Sequence, residues 1–503
     1  MAAGLWTFKV ESMTQDESTK QVQGGNTNGS GAMRVVVFLG IAILVAAIFA
    51  GAVFIIQLMS EPDPTLTAEP TLRPTFTPSA VAAAPTWTPT PTPSPTPLPS
   101  EPAETPETTE TASPTGEAPT VEPTDTAAAA TNTPVEPTAT TRPPVSPGMA
   151  SPDYGIQAFL WWRPEVTHRD LGLVRDGGFT WVKQWFAWRD IEGAGKGQYD
   201  WSTADRIVSG AEEFGLKLIA RVDHEPTWAG PPPGNINAFV DFLTAMATRY
   251  RGRIQAYQIW NEPNLAREWG NKPPNAAEYT QMLKAAYQAI KKADPNALVI
   301  SAGMAPTTEL SQRAVPDTQF IQSMYNAGAK PYFDLLGAHG AGYKAPPEMD
   351  PGQVATDPNY YNVGDVNCPG DACRIYCFRH VEDLRQIMVN NGDAKKRVVV
   401  LEFGWTRDER PDSPYAWHRV ADQFVQADYM VRAYQYAKEH WQPWIAVMSL
   451  IYLPDVEWTQ DDEQYWWSVI EPSPTEIRLK APYVELCLYL REERGMTRCP
   501  YAP

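Results

Sequence analysis

The sequence predicts an α/β protein whose folded part is a (β/α)₈ TIM barrel. Short apolar segments alternate eight times with amphipathic segments across residues 151–503. No glycine-rich phosphate loop follows the first apolar segment, which weighs against the alternative of an open doubly wound sheet. Before the barrel, one long apolar run and a proline-rich tract predict a transmembrane helix followed by a disordered stalk.

The predicted transmembrane helix covers residues 35–59, an uncharged run longer than the ~20 residues that cross a bilayer. A cleaved signal peptide is the alternative, but its apolar core would span only about 7–15 residues. Basic residues such as Arg34 precede the run and acidic residues such as Glu61 follow it, so residues 1–34 should be a cytoplasmic tail. We therefore expect a single-pass protein of the cell membrane, anchored in the lipid bilayer, with its folded part extracellular.

Residues 60–150 form the predicted stalk, which is rich in Pro, Thr and Ser and contains only two aromatic residues, Phe76 and Trp87. Such a composition buries too little apolar surface to offset the entropy of ordering, so we expect an extended, disordered linker. Half of the chain's formal net charge of −18 lies in this stalk. The chain shows no basic patch that could neutralise phosphates, which argues against nucleic acid as a partner.

Eight strands are predicted from short runs of β-branched, aromatic and aliphatic residues. In chain order they cover 154–162, 179–185, 216–222, 254–260, 297–303, 333–339, 397–405 and 445–453. Helices follow them, as at residues 202–214, where Ser202 can cap the first turn and Gly215 can end the last. The predicted helices cover 168–178, 202–214, 235–250, 275–293, 319–327, 375–391, 423–439 and 483–491.

Two glutamates lie where the fourth and seventh strands end, in "YQIWNEPN" and "VVVLEFGW". In a barrel these two strand ends face each other across the mouth, where catalytic residues collect. Two converging carboxylates are what a retaining glycosidase requires, one as acid/base and the other as nucleophile. Alone, Glu262 could cap a helix and Glu402 could pair with a base, but together they predict a catalytic pair.

"WNEPN" with "LEFGW" about 140 residues later resembles the clan A glycoside hydrolases, retaining (β/α)₈ enzymes that include cellulases, mannanases and β-xylosidases. The resemblance covers residues 153–491 and is nearest to families 5 and 39. It implies Glu262 as acid/base, Glu402 as nucleophile and Asn261 as a ligand of the sugar 2-hydroxyl, with no metal or organic cofactor. The acid/base then needs a raised pKa, and the nucleophile must stay ionised.

The resemblance also implies supporting residues. In "GAHGAGY", His339 would contact the sugar and Tyr343 would orient the nucleophile, although their spacing is longer than usual. Lys183 stands where family 5 enzymes carry an arginine, and His224 is a candidate sugar contact. The structural alternatives are that His339 is a core histidine, that Lys183 points outward and that His224 is a solvated loop residue.

Nine tryptophans fall at or just beyond predicted strand ends: Trp161, Trp162, Trp185, Trp188, Trp228, Trp405, Trp458, Trp466 and Trp467. Aromatic faces stack on the C–H face of pyranose rings, so a mouth lined with tryptophan suits a saccharide. Several of the nine must be core residues. We expect Trp405, and one tryptophan from the loop after the eighth strand, to bind substrate.

All five cysteines lie in the folded part, and an extracellular location permits disulfides. We expect Cys487 to pair with Cys499, and Cys368 to pair with either Cys373 or Cys377, which leaves one thiol. No second pair at zinc spacing accompanies this cluster, so we expect no metal site.

The sequence therefore predicts a monomeric, membrane-anchored extracellular glycoside hydrolase whose substrate is a β-linked oligo- or polysaccharide. Two alternatives stay open: a non-catalytic cell-surface glycan-binding module, and a transglycosylase that passes the glycosyl group to an acceptor sugar. The glycan and its linkage are not specified by the sequence. Exo or endo action depends on whether loops 345–371 and 454–466 block the cleft.

Overall fold

The computed structural model describes residues 148–502, which form a closed barrel of eight strands. Each strand pairs in parallel with the next one along the chain, and β8 closes the barrel against β1. The predicted barrel is confirmed, and the open doubly wound sheet is wrong. The strands are β1 Asp153–Gln157, β2 Trp181–Ala187, β3 Lys217–Asp223, β4 Ala256–Ile259, β5 Leu298–Ile300, β6 Leu335–Ala341, β7 Arg397–Gly404 and β8 Ile445–Leu450.

Helices connect the strands in the predicted alternation. They are α1 Pro164–Asp176, α2 Trp188–Ile191, α3 Ser202–Glu213, α4 Ile236–Arg249, α5 Ala276–Ala293, α6 Asp317–Asn326, α7 Pro351–Thr356, α8 Val381–Asn390, α9 Gln423–His440, α10 Glu463–Trp467 and α11 Ala481–Glu493. The short helices α2, α7 and α10 lie in loops and were not predicted, because they are too short to show helical periodicity.

Several element boundaries differ from the sequence prediction; the helix predicted at 375–391, for example, begins at Val381. Strand β1 ends at Gln157, and beyond it Leu160 donates its backbone N–H to the side-chain oxygen of Gln184 in β2, 2.8 Å away, and not to a backbone carbonyl of that strand. Helix α1 begins four residues earlier than predicted, at Pro164, since proline suits the first turn of a helix.

The barrel interior consists of an apolar layer beneath a polar one. The apolar layer includes Trp181, Ile219, Ala256 and Val447, which belong to one buried cluster. Side chains two residues apart on a strand face the same side, so the next inward positions toward the carboxyl ends are Lys183, Arg221, Gln258 and Ser449. We call the carboxyl end of the strands the mouth and the amino end the floor. The layer nearer the floor is therefore mainly apolar, and the layer nearer the mouth carries the charges of Lys183 and Arg221.

The described chain enters the barrel at its floor. The Ser151 hydroxyl donates to the carbonyl of Ile445, the first residue of β8, at 2.7 Å. The Arg397 guanidinium, at the start of β7, donates to the carbonyl of Ala150 at 3.1 Å. These contacts fix residues 148–153 at the end of the barrel opposite the mouth.

The predicted cytoplasmic tail, the transmembrane helix at 35–59 and the stalk up to residue 147 lie outside the described residues. Between residues 148 and 502, no helix combines the length and the apolar character needed to span a membrane.

Two disulfides join Cys368 to Cys373 and Cys487 to Cys499. Cys377 is the remaining thiol in the described chain; it is buried, and burial raises its pKa to about 12. Asp365 lies close to Cys368 and Cys373 in the one group of potential metal ligands within residues 148–502. Both sulfurs of that group are in a disulfide and are not thiolates, so the donor set does not suit a metal ion.

His380 forms a buried ionic bridge between two helices outside the barrel. Its Nε2 lies 2.9 Å from Asp317 of α6, and its Nδ1 lies 3.1 Å from Asp383 of α8. Burial alone would lower the pKa of His380, but the two carboxylates raise it to about 9. The imidazolium form therefore holds α6 and α8 together at neutral pH.

Because the pKa of His380 is raised above its unfolded value of 6.5, its stabilisation is complete below pH 6.5 and is lost as pH rises through 9. We expect His380→Gln to lower the free energy of unfolding by about 3–5 kcal/mol at pH 6. The deficit should shrink by about 3 kcal/mol at pH 9.5, measured by urea denaturation. The control is His168→Gln, an exposed histidine 3.2 Å from Glu213, which should change stability by less than about 1 kcal/mol. An equal deficit at both pH values would contradict the ionic role.

Candidate active site

Glu262 lies on a strained turn directly after β4. Trp260 and Glu262 have φ angles of 69° and 44°, in the left-handed region that non-glycine residues seldom adopt. The turn is held by the Glu262 N–H, which donates to the Gly303 carbonyl at 3.0 Å, and by the Trp260 indole, which donates to the Glu268 carbonyl at 2.8 Å. Such backbone conformations cost on the order of 1–3 kcal/mol each, so the surrounding contacts impose the position of Glu262.

Asn264, the last residue of "WNEPN", is a structural part of this turn. Its buried side chain donates to the carbonyls of Ala305 and Val315 at 2.8 and 2.9 Å, and accepts from the Ala305 N–H at 2.9 Å. It thereby joins the loop after β4 to the loop after β5. The sequence analysis assigned Asn264 no role, because its partners are about 40 or more residues away.

The Glu262 carboxylate is buried and has two partners. Its Oε1 lies 3.1 Å from Nδ1 of His339, and its Oε2 lies 3.2 Å from a guanidinium nitrogen of Arg267. Burial raises the pKa of Glu262, but the hydrogen bond and charge of His339 outweigh it and lower the pKa below its usual value. The direction of this pKa shift is therefore opposite to that expected for an acid/base residue.

Glu402 is held in the ionised form. Lys183 Nζ lies 2.9 Å from Glu402 Oε1, and an Arg221 nitrogen lies 3.9 Å from the same oxygen. Burial would raise the pKa of Glu402, but the charges of Lys183, His339 and Arg221 hold it well below its usual range. This is the direction that a carboxylate nucleophile needs.

Lys183 does not face the substrate cleft. It is buried, and its ammonium donates to both Glu402 Oε1 and the Leu401 carbonyl, the latter at 3.1 Å. Lys183 does not point outward: its inward position on β2 places its charge against the carboxylate of Glu402, at the position where family 5 enzymes carry an arginine near the nucleophile.

Arg221 and Asp223 on β3 are site residues that the sequence analysis missed. Arg221 Nε lies 2.6 Å from Asp223, and the other Asp223 oxygen lies 2.8 Å from His224 Nδ1 and accepts from the Trp185 indole. His224, with φ 56°, stays 31% exposed at the mouth. The available signal was that Arg221 and Asp223 fall at inward-facing positions near the carboxyl end of β3.

His339 connects the two glutamates. Its Nδ1 lies 3.1 Å from Glu262 Oε1 and 4.0 Å from Glu402 Oε2. The ring is buried, and its Nε2 has no hydrogen-bond partner among the described residues. Gly303 is required beside it, because a Cβ there would lie 2.3 Å from the imidazole.

Tyr343 does not orient the nucleophile in this structure. Its ring stacks on Trp417, with centroids 5.7 Å apart, and meets the edges of Tyr376 and His418. Its hydroxyl is buried without a hydrogen-bond partner in residues 148–502, so no hydrogen bond to Glu402 is formed. The predicted role is corrected, since this aromatic cluster holds Tyr343 away from the nucleophile.

Trp405 is not an accessible sugar platform. Its ring is fully buried and its indole donates to the Ala345 carbonyl at 2.9 Å. Strand β7 shifts register between Val400 and Phe403, so Glu402 points into the mouth and Trp405 packs against Phe378 outside the barrel. The prediction that Trp405 stacks on a sugar is therefore wrong for this conformation.

Exposed aromatic rings line the mouth beside β8, β1 and β2. Trp162, which is 48% exposed, meets the edge of Trp185 at 5.2 Å, and Trp185 meets His224 at 4.4 Å. From the loop after β8, Trp458 is half-buried against Phe159 at 4.6 Å, whereas Trp466 and Trp467 are buried. These rings offer faces that a chain of sugars can contact.

Comparison with known proteins gives consistent matches. The profile of cellulase, glycosyl hydrolase family 5, matches residues 138–351. A β-xylosidase from Geobacillus stearothermophilus is 28% identical over 127 residues, which is 21% of this chain. That match spans 25% of the length of the β-xylosidase, so the chain matches about a quarter of this relative.

Two solved structures share the fold. A family 39 glycoside hydrolase from Bacteroides cellulosilyticus WH2 has a TM-score of 0.50 and 19% identity, covering 68% of this chain and 64% of that one. A family 5 subfamily 18 protein from Streptomyces cattleya, in complex with Manβ1-4GlcNAc, has a TM-score of 0.50 and 13% identity, covering 70% and 83%. At these identities the likeness is one of fold.

We expect Lys183→Met to lower the free energy of unfolding by about 3–5 kcal/mol at pH 7, because it leaves the buried Glu402 charge without its nearest partner. The pKa of Glu402 is depressed in the folded chain, so the pair stabilises above the unfolded pKa near 4.5 and this stabilisation is lost as pH falls. The deficit should therefore shrink between pH 7 and pH 3.5 in chemical denaturation. The control is Lys438→Met, which removes a half-exposed pair with Glu493 and should cost less than about 1 kcal/mol. A deficit that grows toward low pH would overturn the assignment.

Proposed function

We propose that this chain, a glycoside hydrolase of clan A, is a retaining β-glycosidase that works by double displacement. The cellulase profile, the β-xylosidase relative and the eight-stranded barrel support the clan. The observation that carries the finer proposal is that one imidazole, His339, contacts Glu262 on the β4 side and lies 4.0 Å from Glu402 on β7. Two carboxylates joined in this way can act on the same glycosidic bond.

The electrostatic surroundings support the role of Glu402, and the role of Glu262 follows from its place opposite Glu402 and from the resemblance. Glu402 is ionised beside Lys183 and Arg221, so it attacks the anomeric carbon and forms a glycosyl–enzyme ester. Glu262 gives its proton to the leaving oxygen as the glycosidic bond breaks. It then takes a proton from the water that hydrolyses the ester, which returns Glu402 as a carboxylate and Glu262 as an acid.

Asn261 is placed to recognise the sugar in the reacting position. It is buried beside Glu262, and its Oδ1 accepts from the Gln258 side chain at 3.4 Å. This leaves its Nδ2 to donate to the 2-hydroxyl, a contact that strengthens in the transition state.

The substrate we propose is a β-linked oligo- or polysaccharide. The exposed ring of Trp162 and the half-buried ring of Trp185, near β1 and β2, provide apolar surface for sugars beyond the cleaved bond. The names of the two relatives point the same way, since one is a β-xylosidase and the other holds Manβ1-4GlcNAc.

We place the barrel outside the cell, tethered to the membrane through residues 35–59. The uncharged run and the charge asymmetry of its flanks support this proposal. An antibody against the barrel should stain unpermeabilised cells that express the full-length chain. Staining only after permeabilisation would overturn the topology.

We expect Glu402→Gln to abolish hydrolysis of aryl β-glycosides by the full-length protein, because no nucleophile remains. Glu262→Gln should slow hydrolysis about 10²–10⁴-fold for poor leaving groups and much less for dinitrophenolate, which departs without a proton. The control is Glu439→Gln, an exposed residue at the floor end of α9, which should retain activity. The assay is initial-rate kinetics over a panel of gluco-, xylo- and mannosides.

Product configuration, read by NMR at early times, tests the double displacement. A first-formed β-anomer is expected, and an α-anomer would contradict it. Saturable glycan binding without turnover across the panel would favour a binding module, and transfer to added sugar at high acceptor concentration would favour a transglycosylase.

A further inference from the structure

The Arg267 guanidinium contacts the proposed proton donor Glu262 on the side from which a leaving group would receive its proton. Within the Glu262 carboxylate, Oε1 is engaged by the buried His339, and Oε2 is engaged by Arg267 at 3.2 Å. The Arg267 side chain is 46% exposed, so Oε2 is the oxygen on the cleft side. A proton delivered to a glycosidic oxygen in the cleft therefore has to come from Oε2, where the guanidinium now sits.

Arg267 also differs from the other cations of the site. Lys183 and Arg221 are largely buried, and each is in contact with a carboxylate of the barrel interior. Arg267 is half-exposed and lies in the loop that follows β4, the loop that carries the proton donor. Of these three cations, it is the one that an arriving ligand can reach.

The resting contact opposes catalysis. A guanidinium at 3.2 Å favours the ionised form of Glu262, whereas an acid catalyst must carry a proton. Arg267 therefore has to leave Oε2 before the bond breaks. Its other neighbour is Glu268, 3.7 Å from its Nε. Burial and the nearby charge of Glu262 raise the pKa of Glu268 to about 7, so this carboxyl is a poor anionic partner for the displaced guanidinium near neutral pH.

We propose that the leaving-group side of the site takes an acidic sugar, whose carboxylate binds Arg267 and draws it away from Glu262. This inference rests on the proposed glycosidase function. The sugar carboxylate gives Arg267 a bidentate anionic partner, which takes over the role that Oε2 has in the resting site. Freed of the guanidinium, Glu262 takes up a proton from water on Oε2 and transfers it to the leaving oxygen, while Glu402 bonds to the anomeric carbon and the glycosidic bond breaks. The acidic sugar then departs as the neutral alcohol at its former linkage position, with its carboxylate unchanged.

The test compares leaving sugars on the full-length protein. The substrates carry a β-glucosyl, β-xylosyl or β-mannosyl group 1,4-linked to glucuronic acid, to glucose or to glucose 6-sulfate. We expect kcat/KM for the glucuronic acid series to exceed the glucose series by on the order of tenfold or more. The glucose 6-sulfate series shows whether any anionic sugar suffices or whether the planar carboxylate is required. A higher kcat/KM for glucuronic acid than for glucose supports the inference in both cases.

Variants of Arg267 identify the residue responsible. Arg267→Ala should bring the acidic-to-neutral ratio of kcat/KM close to one, and Arg267→Lys should retain part of the preference, because a lysine keeps the charge but not the bidentate geometry. Arg267→Ala should also shift the basic limb of the pH profile on neutral substrates to higher pH, since the pKa of Glu262 rises. A purely structural role would leave that limb unchanged.

Arg175→Ala is the matched control, because Arg175 is 51% exposed and contacts Asp176 at the floor end of α1. It should keep both the ratio and the pH profile. A wild-type ratio near one, with measurable hydrolysis of the neutral series, would overturn this inference and leave the proposed function intact. An absence of hydrolysis in every series would overturn the proposed function itself.

Discussion

The buried ion pair between Lys183 and Glu402 is the interaction on which the rest of the site depends. Taking two charges out of water costs several kcal/mol per ion, and only good geometry with further hydrogen bonds offsets that cost. The closed barrel provides this geometry, because Lys183 on β2 reaches Glu402 on β7 across the interior. The apolar layer nearer the floor and the polar layer nearer the mouth are two consequences of the same arrangement. The first keeps the dielectric low, and the second gives the carboxylate its partners.

Around this pair, strained backbone conformations lower the folding stability but fix the positions of side chains. Non-glycine residues with positive φ stand at the mouth ends of three strands, in the loops after β3, β4 and β6: His224, Trp260, Glu262 and Tyr343. Asn264 and the backbone contact to Gly303 hold the strained turn after β4 against relaxation. Strain that clusters where side chains must point into a cleft is typical of sites that are organised before the ligand arrives.

The sequence was sufficient for the barrel and for the two glutamates, because both follow from periodicity and from the ends of apolar runs. It was insufficient wherever side-chain direction depends on register. The register shift in β7 turns Trp405 outward, and the Tyr343 ring packs in the aromatic cluster around Trp417. Neither effect can be predicted from the local amino-acid composition. Lys183 shows the converse, since its inward position could be counted along β2 but its partner Glu402 lies on another strand.

The entry of the chain at the floor, fixed by Ser151 and Ala150, has a consequence for any attachment upstream of residue 148. An attachment there joins the amino ends of β7 and β8, at the end of the barrel opposite the strained loop that carries Glu262. The point of attachment and the candidate site are thus separated by the length of the barrel.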